Sequence, residues 1–226
     1  MSKRSWITLF AIILIANITG GLLKNQWIDY ISKPLIVVSI IAYFLSQTAE
    51  TTYSLKKWIL FALFFSWVGD ILLMFQADNK LFFLLGLSCF LLAHVFYIIF
   101  FQSVRAREKI RPKVWLLLIV LVYYTPLVSF LSPHLGDMKL PVIIYGAVIS
   151  LMLSLAIDML FIPNRRAGQW MMTGALLFVL SDSVLAINQF YQSFPLAGVI
   201  IMLTYGLAQL FITEGAIKYI TSVDKK

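Results

Sequence analysis

The sequence has few charged residues for its length and no long polar stretch. Charged residues make up 12% of the 226 positions and hydrophobic residues 61%, whereas soluble domains are about a quarter charged and about half apolar. The mean hydropathy is +0.91. This composition excludes an ordinary soluble domain. We predict an all-α, polytopic membrane protein in which residues 1–226 form a single integral membrane domain.

The sequence also lacks the residues and motifs of several common chemistries. Cys89 is the single cysteine, which excludes an internal disulfide and argues against a zinc cluster. There is no Gly-x-Ser-x-Gly elbow, no His-Glu-x-x-His pair and no glycine-rich phosphate loop. We therefore expect neither a metal nor a cofactor. The net charge of +8 is assigned to the basic loops of a membrane protein, and no nucleic-acid partner is expected.

Apolar segments separated by short polar breaks run through the whole chain. Crossing a bilayer takes about 20 mostly apolar residues in a helix, and eight segments approach or reach that length. The predicted spans are 6–23, 32–49, 57–76, 80–102, 114–131, 140–162, 169–190 and 195–219.

The distribution of basic residues predicts the orientation of these spans. With the N-terminus in the cytoplasm, 14 of the 18 lysines and arginines fall in cytoplasmic segments, Lys225 and Lys226 among them. Such an excess is what the positive-inside rule describes. We therefore predict eight transmembrane helices with both termini in the cytoplasm, and we expect the membrane to be a bacterial inner membrane.

Two aspartates interrupt this apolar sequence. Asp70 and Asp182 lie in the predicted third and seventh spans, each just after a small residue. A carboxylate in hydrocarbon costs several kcal/mol unless it is paired, protonated or hydrated, so such a residue is a functional-site candidate by default. Two aspartates in matching contexts strengthen that interpretation.

The same two aspartates indicate an internal repeat. They are 112 positions apart, almost half of the chain, and the same offset aligns Gly86 with Gly198. We predict a parallel 4+4 repeat with pseudo-repeats of about 1–110 and 111–226. At about 1.5 Å of rise per residue, both aspartates reach about the same height. They can therefore meet between the halves, where repeat-built membrane proteins often place their sites.

Four other polar residues are candidates for binding a substrate. Lys33 either extends its ammonium group to the interface or binds a phosphate above the aspartates. His94 either forms a helix-packing hydrogen bond or shuttles a proton. Tyr205 and Gln209 are one helical turn apart and share a face, where they either join helices or line the site.

These residues resemble the YhhN family of membrane proteins, the group that includes lysoplasmalogenases. The resemblance covers most of the chain and depends on the order and spacing of several short motifs. The motifs are Lys33-Pro34-Leu35, Ser66-x-x-Gly69-Asp70-x-Leu72-Leu73, Gly86 with Ala93-His94-Val95-x-Tyr97, Gly174-Ala175-Leu176-Leu177-Phe178-x-x-Ser181-Asp182, and Tyr205-x-x-Ala208-Gln209.

The resemblance implies an eight-helix membrane hydrolase with a lysophospholipid substrate in the bilayer. It would cleave the vinyl ether bond of lysoplasmalogens to a fatty aldehyde and a glycerophospho-base. That reaction needs an acid that protonates carbon and a nearby base or anion. Two close carboxyl groups supply both, so we assign catalysis to Asp70 and Asp182, with either one as the acid. The alternative is a proton-coupled transporter or lipid carrier that uses the same aspartates.

Overall fold

The computed structural model describes residues 2–111, 113 and 115–224. Within these residues the chain is helical and contains no β-strand. Val114, where the predicted fifth span begins, lies outside the described residues, as do Lys225 and Lys226. The long helices are α1 Lys3–Leu22, α2 Gln26–Gln47, α3 Lys56–Met74, α4 Lys80–Arg107, α5 Trp115–Leu131, α6 Lys139–Asp158, α7 Arg165–Ala186 and α8 Ala197–Asp224.

Polar residues in the breaks define where several helices begin. The side-chain oxygens of Asn25, Asn79 and Asn164 each accept hydrogen bonds from backbone N–H groups in the first turn of α2, α4 and α7. Asparagine is among the preferred residues at this position because it satisfies a donor that the helix leaves unpaired. The short polar segments of the sequence therefore fix the boundaries of the apolar helices.

Seven of the described helical segments are long and apolar enough to cross a membrane, which confirms the prediction of a polytopic, all-helical membrane protein. The remaining predicted span, the fifth, corresponds to α5, which has 17 residues and is shorter than the length of about 20 that a crossing usually takes. A 3₁₀ turn, Ser132–His134, follows it directly.

Both ends of the described chain lie at one end of the bundle, which we call the terminal face. Lys3 in α1 forms an ion pair with Glu214 near the end of α8, and Lys218 lies 3.3 Å from the same carboxylate. At this face Arg105 of α4 also lies 3.1 Å from Asp158 of α6. We call the opposite end of the bundle the far end.

Small residues allow the helices that carry the aspartates to pack closely. A Cβ added at Gly69 of α3 would lie 2.8 Å from the Phe90 ring and 3.3 Å from the carbonyl oxygen of Gly86. In the second half, a Cβ at Gly174 of α7 would lie 2.8 Å from the Ala208 carbonyl oxygen of α8. The pairs α3–α4 and α7–α8, which carry the two aspartates, are thus the most closely packed helix pairs of the described chain.

Candidate active site

A cavity of about 100 Å³ lies among α2, α3, α4, α6, α7 and α8, and both predicted catalytic aspartates line it. We call it the central cavity. Most of its lining is apolar, so a charge inside it is poorly hydrated. The lining residues are Lys33, Asp70, Leu73, Gln76, Phe83, Leu87, Phe90, Val142, Tyr145, Ser181, Asp182, Leu185, Ala186, Phe190, Ile201, Met202 and Tyr205.

Asp70 is held by a chain of hydrogen bonds that begins on α4. The Tyr97 hydroxyl donates to Oε1 of Gln209 at 2.5 Å, and Nε2 of Gln209 lies 3.4 Å from the Tyr205 hydroxyl oxygen. Tyr205 in turn donates to Oδ2 of Asp70 at 2.7 Å. Asp70 is only 2% exposed. Two residues of α8 and one of α4 therefore fix the orientation of a carboxyl group on α3.

Asp182 has a different set of partners. The Tyr145 hydroxyl of α6 donates to its Oδ2 at 2.5 Å, and Nε2 of His94 lies 3.9 Å from the same oxygen. Among the described residues, the Asp70 and Asp182 carboxyl groups form no hydrogen bond with each other. Each accepts a hydrogen bond from a different tyrosine. The two aspartates therefore share a cavity but differ in their immediate surroundings.

The hydrogen bonds of His94 define which of its nitrogens carries hydrogen. Nδ1 lies 2.6 Å from the carbonyl oxygen of Phe90. A carbonyl only accepts, so Nδ1 is the donor. Nε2 is buried and has no hydrogen-bond partner in the described part of the protein. The Asp182 carboxyl oxygen lies 3.9 Å from Nε2. A single proton shared between Nε2 and this oxygen would give both atoms a hydrogen-bond partner.

Aromatic rings close the central cavity on the side of the terminal face. Phe178, one helical turn before Asp182, makes edge contacts with the rings of Phe90, His94 and Tyr205 at centroid distances of 4.6 to 6.4 Å. All four residues are buried, Phe178 fully. Tightly packed rings leave little room for water, so the carboxyl groups meet the open space of the cavity from one side.

Two further cavities adjoin the central one. A wide cavity of about 530 Å³ at the far end shares Lys33 and Met202 with it. A narrower space of about 60 Å³ between α5, α6 and α7 shares Val142, Tyr145 and Asp182, and we call it the side groove. The wide cavity is lined by several charged and amide side chains, whereas the side groove is mainly apolar and aromatic. The aspartates therefore lie between a polar space and an apolar one.

The structure brings five of the six predicted site residues into direct contact with the cavity or with its aspartates. Lys33, Asp70, Asp182 and Tyr205 line the cavity, and His94 stands beside Asp182. Gln209, predicted to bind substrate, lies behind Tyr205 and is fully buried, away from the lining residues.

Two polar residues that line the cavity were not predicted from the sequence as site residues. Tyr145 is the hydrogen-bond donor to Asp182, and Gln76 has a buried Oε1 without a partner among the described residues. Tyr145 could have been found from the repeat, because the offset of 112 positions aligns it with Lys33. Gln76 follows the last turn of α3 and carries no comparable signal.

The helices and the cavity together define an integral membrane protein with a buried pair of carboxyl groups, open to a space of mixed polarity. A structural role alone rarely accounts for intramembrane carboxyl groups, which are costly to bury. The arrangement is therefore a candidate functional site within the membrane.

The chain belongs to the YhhN family, whose profile matches residues 28–216. It is 38% identical to the lysoplasmalogenase TMEM86B of Homo sapiens over 70% of this chain and 62% of that protein. It is 30% identical to the rat lysoplasmalogenase TMEM86B over 86% of this chain and 76% of the relative. A lysoplasmalogenase of Mycobacterium tuberculosis is 30% identical over 71% of this chain and 60% of its own length. No solved structure matches the chain.

Proposed function

We propose that this protein is a lysoplasmalogenase, a membrane hydrolase that cleaves the vinyl ether bond of lysoplasmalogens to a fatty aldehyde and a glycerophospho-base. The observation that carries the proposal is the position of Asp70 and Asp182 at one buried cavity between a polar and an apolar space. Membership of the YhhN family and similarity to lysoplasmalogenases of mammals and mycobacteria support it.

Asp182 is the better candidate for the acid. Its polar neighbours are the uncharged hydroxyl of Tyr145 and the Nε2 atom of His94. If Asp182 carries a proton, its carboxyl group can accept from Tyr145 and donate to His94 with a small approach of the two atoms. In this proposal His94 accepts that hydrogen bond and fixes the position of the Asp182 proton between turnovers.

Asp70 is the better candidate for the base. Lys33 lines the same cavity as Asp70, and a lysine ammonium group favours the charged form of a nearby carboxyl group. The ammonium group balances the charge of an Asp70 carboxylate, and the Tyr205 hydroxyl donates to it. Gln76 supplies an unpartnered amide oxygen to the same cavity, where it can orient the attacking water.

The proposed reaction returns both carboxyl groups to their starting states. Asp182 transfers its proton to the alkenyl carbon that is not bonded to oxygen, which creates an oxocarbenium ion. Water attacks the carbon bonded to oxygen and gives a proton to the Asp70 carboxylate, so that a hemiacetal forms. The hemiacetal loses its hydroxyl proton to Asp182 while Asp70 protonates the departing glycerol oxygen. The products are the aldehyde and the alcohol, and one water is consumed.

The side groove is the proposed site of the alkenyl chain. It begins at Tyr145 and Asp182 and runs between α5, α6 and α7 among apolar residues such as Leu127 and Ile149. The apolar lining keeps the chain in surroundings like those of the bilayer from which it comes. A chain in this groove places the vinyl ether bond beside the proposed acid.

Aldehyde release from defined lipids tests this function. The purified protein should produce fatty aldehyde from lysoplasmenyl-ethanolamine without an added metal, and Asp70→Asn and Asp182→Asn should each abolish it while the protein stays folded and monodisperse. Near-normal turnover in either variant would contradict the acid–base assignment. A folded wild type that releases no aldehyde but exchanges protons or lipids in liposomes would favour the carrier alternative.

We also infer that the chain crosses the membrane eight times, with both termini in the cytoplasm. Contacts at the terminal face support this topology, because Lys3 meets Glu214 and Arg105 meets Asp158. Since α4 and α6 both end at this face, the chain between them has to return to the far end, and α5 is the helix available for that crossing. The positive-inside rule then assigns the terminal face to the cytoplasm of a bacterial inner membrane.

The internal repeat is a proposal of the same kind. Adding 112 to the bounds of α3 gives 168–186, within α7, and adding 112 to those of α2 gives 138–159, which overlaps α6. The correspondence is not complete, because a Cβ at Gly86 would clash with Leu73 while the aligned Gly198 has open space. The overlap of helix bounds supports two parallel halves, 1–110 and 111–226, within one membrane domain.

A further inference from the structure

A groove at the terminal face is lined mainly by cations, amide and hydroxyl groups and aromatic rings. It has a volume of about 650 Å³ and lies between the start of α1, the first turns of α7 and the second half of α8. We call it the basic groove. Its lining residues are Lys3, Arg166, Gln169, Trp170, Thr173, Phe211, Glu214 and Lys218. None of these residues lines the central cavity or the two cavities beside it, so the proposed reaction makes no use of the basic groove.

The basic groove carries a net positive charge. Lys3 and Lys218 share one carboxylate, that of Glu214, which also accepts a hydrogen bond from Tyr43. None of the four ion pairs among the described residues involves Arg166, and this side chain is exposed. Among the lining residues, three cations thus stand against a single carboxylate. Glu214 holds the two lysines in place without cancelling the charge, so the groove suits an anionic group.

Aromatic rings follow the cations in the direction of the membrane. Trp170, one turn after Arg166, packs edge-on against Phe211 of α8 with ring centroids 4.5 Å apart. Tryptophan is enriched where membrane helices pass from the head-group region into hydrocarbon. The aromatic pair lies about 6 Å further along α7 than Arg166, so it marks that boundary.

An apolar stripe continues from the basic groove along α7. Thr173, Leu176 and Leu180 follow Arg166 at intervals of seven, three and four residues, which places all four on one face of the helix. Leu176 and Leu180 are 51% and 48% exposed. From Arg166 to Leu180 the helix rises about 21 Å, which is about the thickness of one leaflet with its head groups. The groove and the stripe together match the length and polarity of a phospholipid lying against the protein.

We propose that the basic groove binds an anionic phospholipid from the leaflet at the terminal face. Lys3, Arg166 and Lys218 contact the phosphate, while the acyl chains run past Trp170 and along the leucines of α7. A zwitterionic lipid would bring an ammonium group towards the same cations, so it binds less tightly. The bound lipid joins α1 to α7 and α8, in addition to the ion pair between Lys3 and Glu214. This binding site is independent of the proposed reaction.

Titration with lipids, followed by native mass spectrometry, tests the site. The purified protein in detergent should bind dioleoyl-phosphatidylglycerol more tightly than dioleoyl-phosphatidylcholine. Arg166→Gln/Lys218→Gln should raise the Kd of the anionic lipid about 10- to 30-fold and leave that of the zwitterionic lipid nearly unchanged. The matched control Lys57→Gln/Arg165→Gln removes two exposed cations outside the groove and should bind both lipids as the wild type does. Equal affinity of the wild type for the two lipids, or an equal loss in variant and control, would overturn the site.

Thermal unfolding separates lipid binding from the binding of a soluble phosphate compound. Saturating phosphatidylglycerol should raise the Tm of the wild type by about 5 °C, and the same rise in Arg166→Gln/Lys218→Gln would contradict the proposal. If that variant does not fold, Arg166→Glu takes its place, because it breaks no ion pair of the described chain. Glycerophosphoglycerol, the same head group without acyl chains, should neither raise the Tm nor displace the lipid at equal concentration. Equal effects of the two compounds would assign the groove to a soluble phosphate and overturn the lipid assignment.

Discussion

At the residue scale, the Tyr145 hydroxyl is the contact that most directly concerns the proposed acid. Tyr145→Phe removes only the oxygen that donates to Asp182. The bond would stabilise the carboxylate that forms when Asp182 gives up its proton. Hydrogen bonds to charged groups contribute about 1.5–3 kcal/mol, so kcat should fall about 10- to 100-fold with KM nearly unchanged. Tyr53→Phe, whose hydroxyl accepts from Arg107 at the terminal face, is the matched control. Steady-state aldehyde release measures both, and an unchanged kcat in Tyr145→Phe would contradict a role for this bond.

A single substitution, His94→Phe, distinguishes a role of His94 in catalysis from a role in helix packing. His94→Phe keeps an aromatic ring against Phe178 and removes a buried Nε2 that has no partner among the described residues. An unsatisfied buried polar group costs about 1–3 kcal/mol, which offsets the lost bond to Phe90. We therefore expect a Tm close to that of wild type together with a kcat at least about 10-fold lower. Full activity at unchanged Tm would limit His94 to helix packing.

Some residues of the candidate site were predictable from the sequence, and others were not because their roles depend on the tertiary structure. Asp70 and Asp182 were predictable because a carboxyl group in an apolar helix has a large cost and so needs an explanation. Phe178 was not, because phenylalanine is ordinary in membrane helices and its role depends on which helices meet. For Tyr145 the one available signal was its alignment with Lys33 at the offset of 112 positions. Gln209 was predicted at the site, but its place behind Tyr205 depends on a contact with Tyr97 that only the tertiary structure provides.

At the element scale, the contact between α7 and α8 controls the distance between the two sets of proposed catalytic groups. Asp182 is on α7, and the Tyr205 that holds Asp70 is on α8. A Cβ at Gly174 would lie 2.7 Å from the backbone nitrogen of Ile212 and 2.8 Å from the Ala208 carbonyl oxygen. Backbone atoms cannot rotate away as a side chain can, so a larger residue has to move the helices apart.

Gly174→Ala should therefore lower both stability and activity. We expect a destabilisation of about 1–3 kcal/mol from overpacking, seen as a lower Tm in detergent, and a reduced kcat because Asp182 moves relative to Tyr205. Gly198→Ala in the same helix pair is the control for stability, since a Cβ there has no neighbour within 4 Å and alanine favours the helix by about 1 kcal/mol. Equal Tm values for the two variants would show that α7 and α8 tolerate separation.

The helices themselves were more predictable than their packing. Seven of the eight predicted spans match helices of membrane length within a few residues at most ends, because apolar length and polar breaks are local properties. The differences are at the ends, where α4 and α8 extend to Arg107 and Asp224, several residues past the apolar stretches. Local sequence does not show how far a helix continues beyond the membrane.

At the scale of the whole molecule, the proposed repeat explains how one fold holds an acid and a base. The offset of 112 positions aligns Asp70 with Asp182, and it also aligns Lys33 with Tyr145. Equivalent helices would then bring equivalent carboxyl groups to one cavity, with Lys33 and the aligned Tyr145 both among its lining residues. Under this proposal the two halves share a fold and differ in one of the residues that line the cavity, Lys33 in the first half and Tyr145 in the second.

Labelling of single cysteines tests the topology on which this view depends. In a Cys89→Ser background, Asp137→Cys and Ser193→Cys mark the far end, and Glu50→Cys marks the terminal face; all three positions are exposed. A membrane-impermeant maleimide should label positions 137 and 193 in intact cells, and position 50 only after permeabilisation. Position 137 is the informative one, because it follows α5 directly. Its protection together with position 50 would mean that α5 does not cross, and the eight-helix, 4+4 arrangement would be wrong.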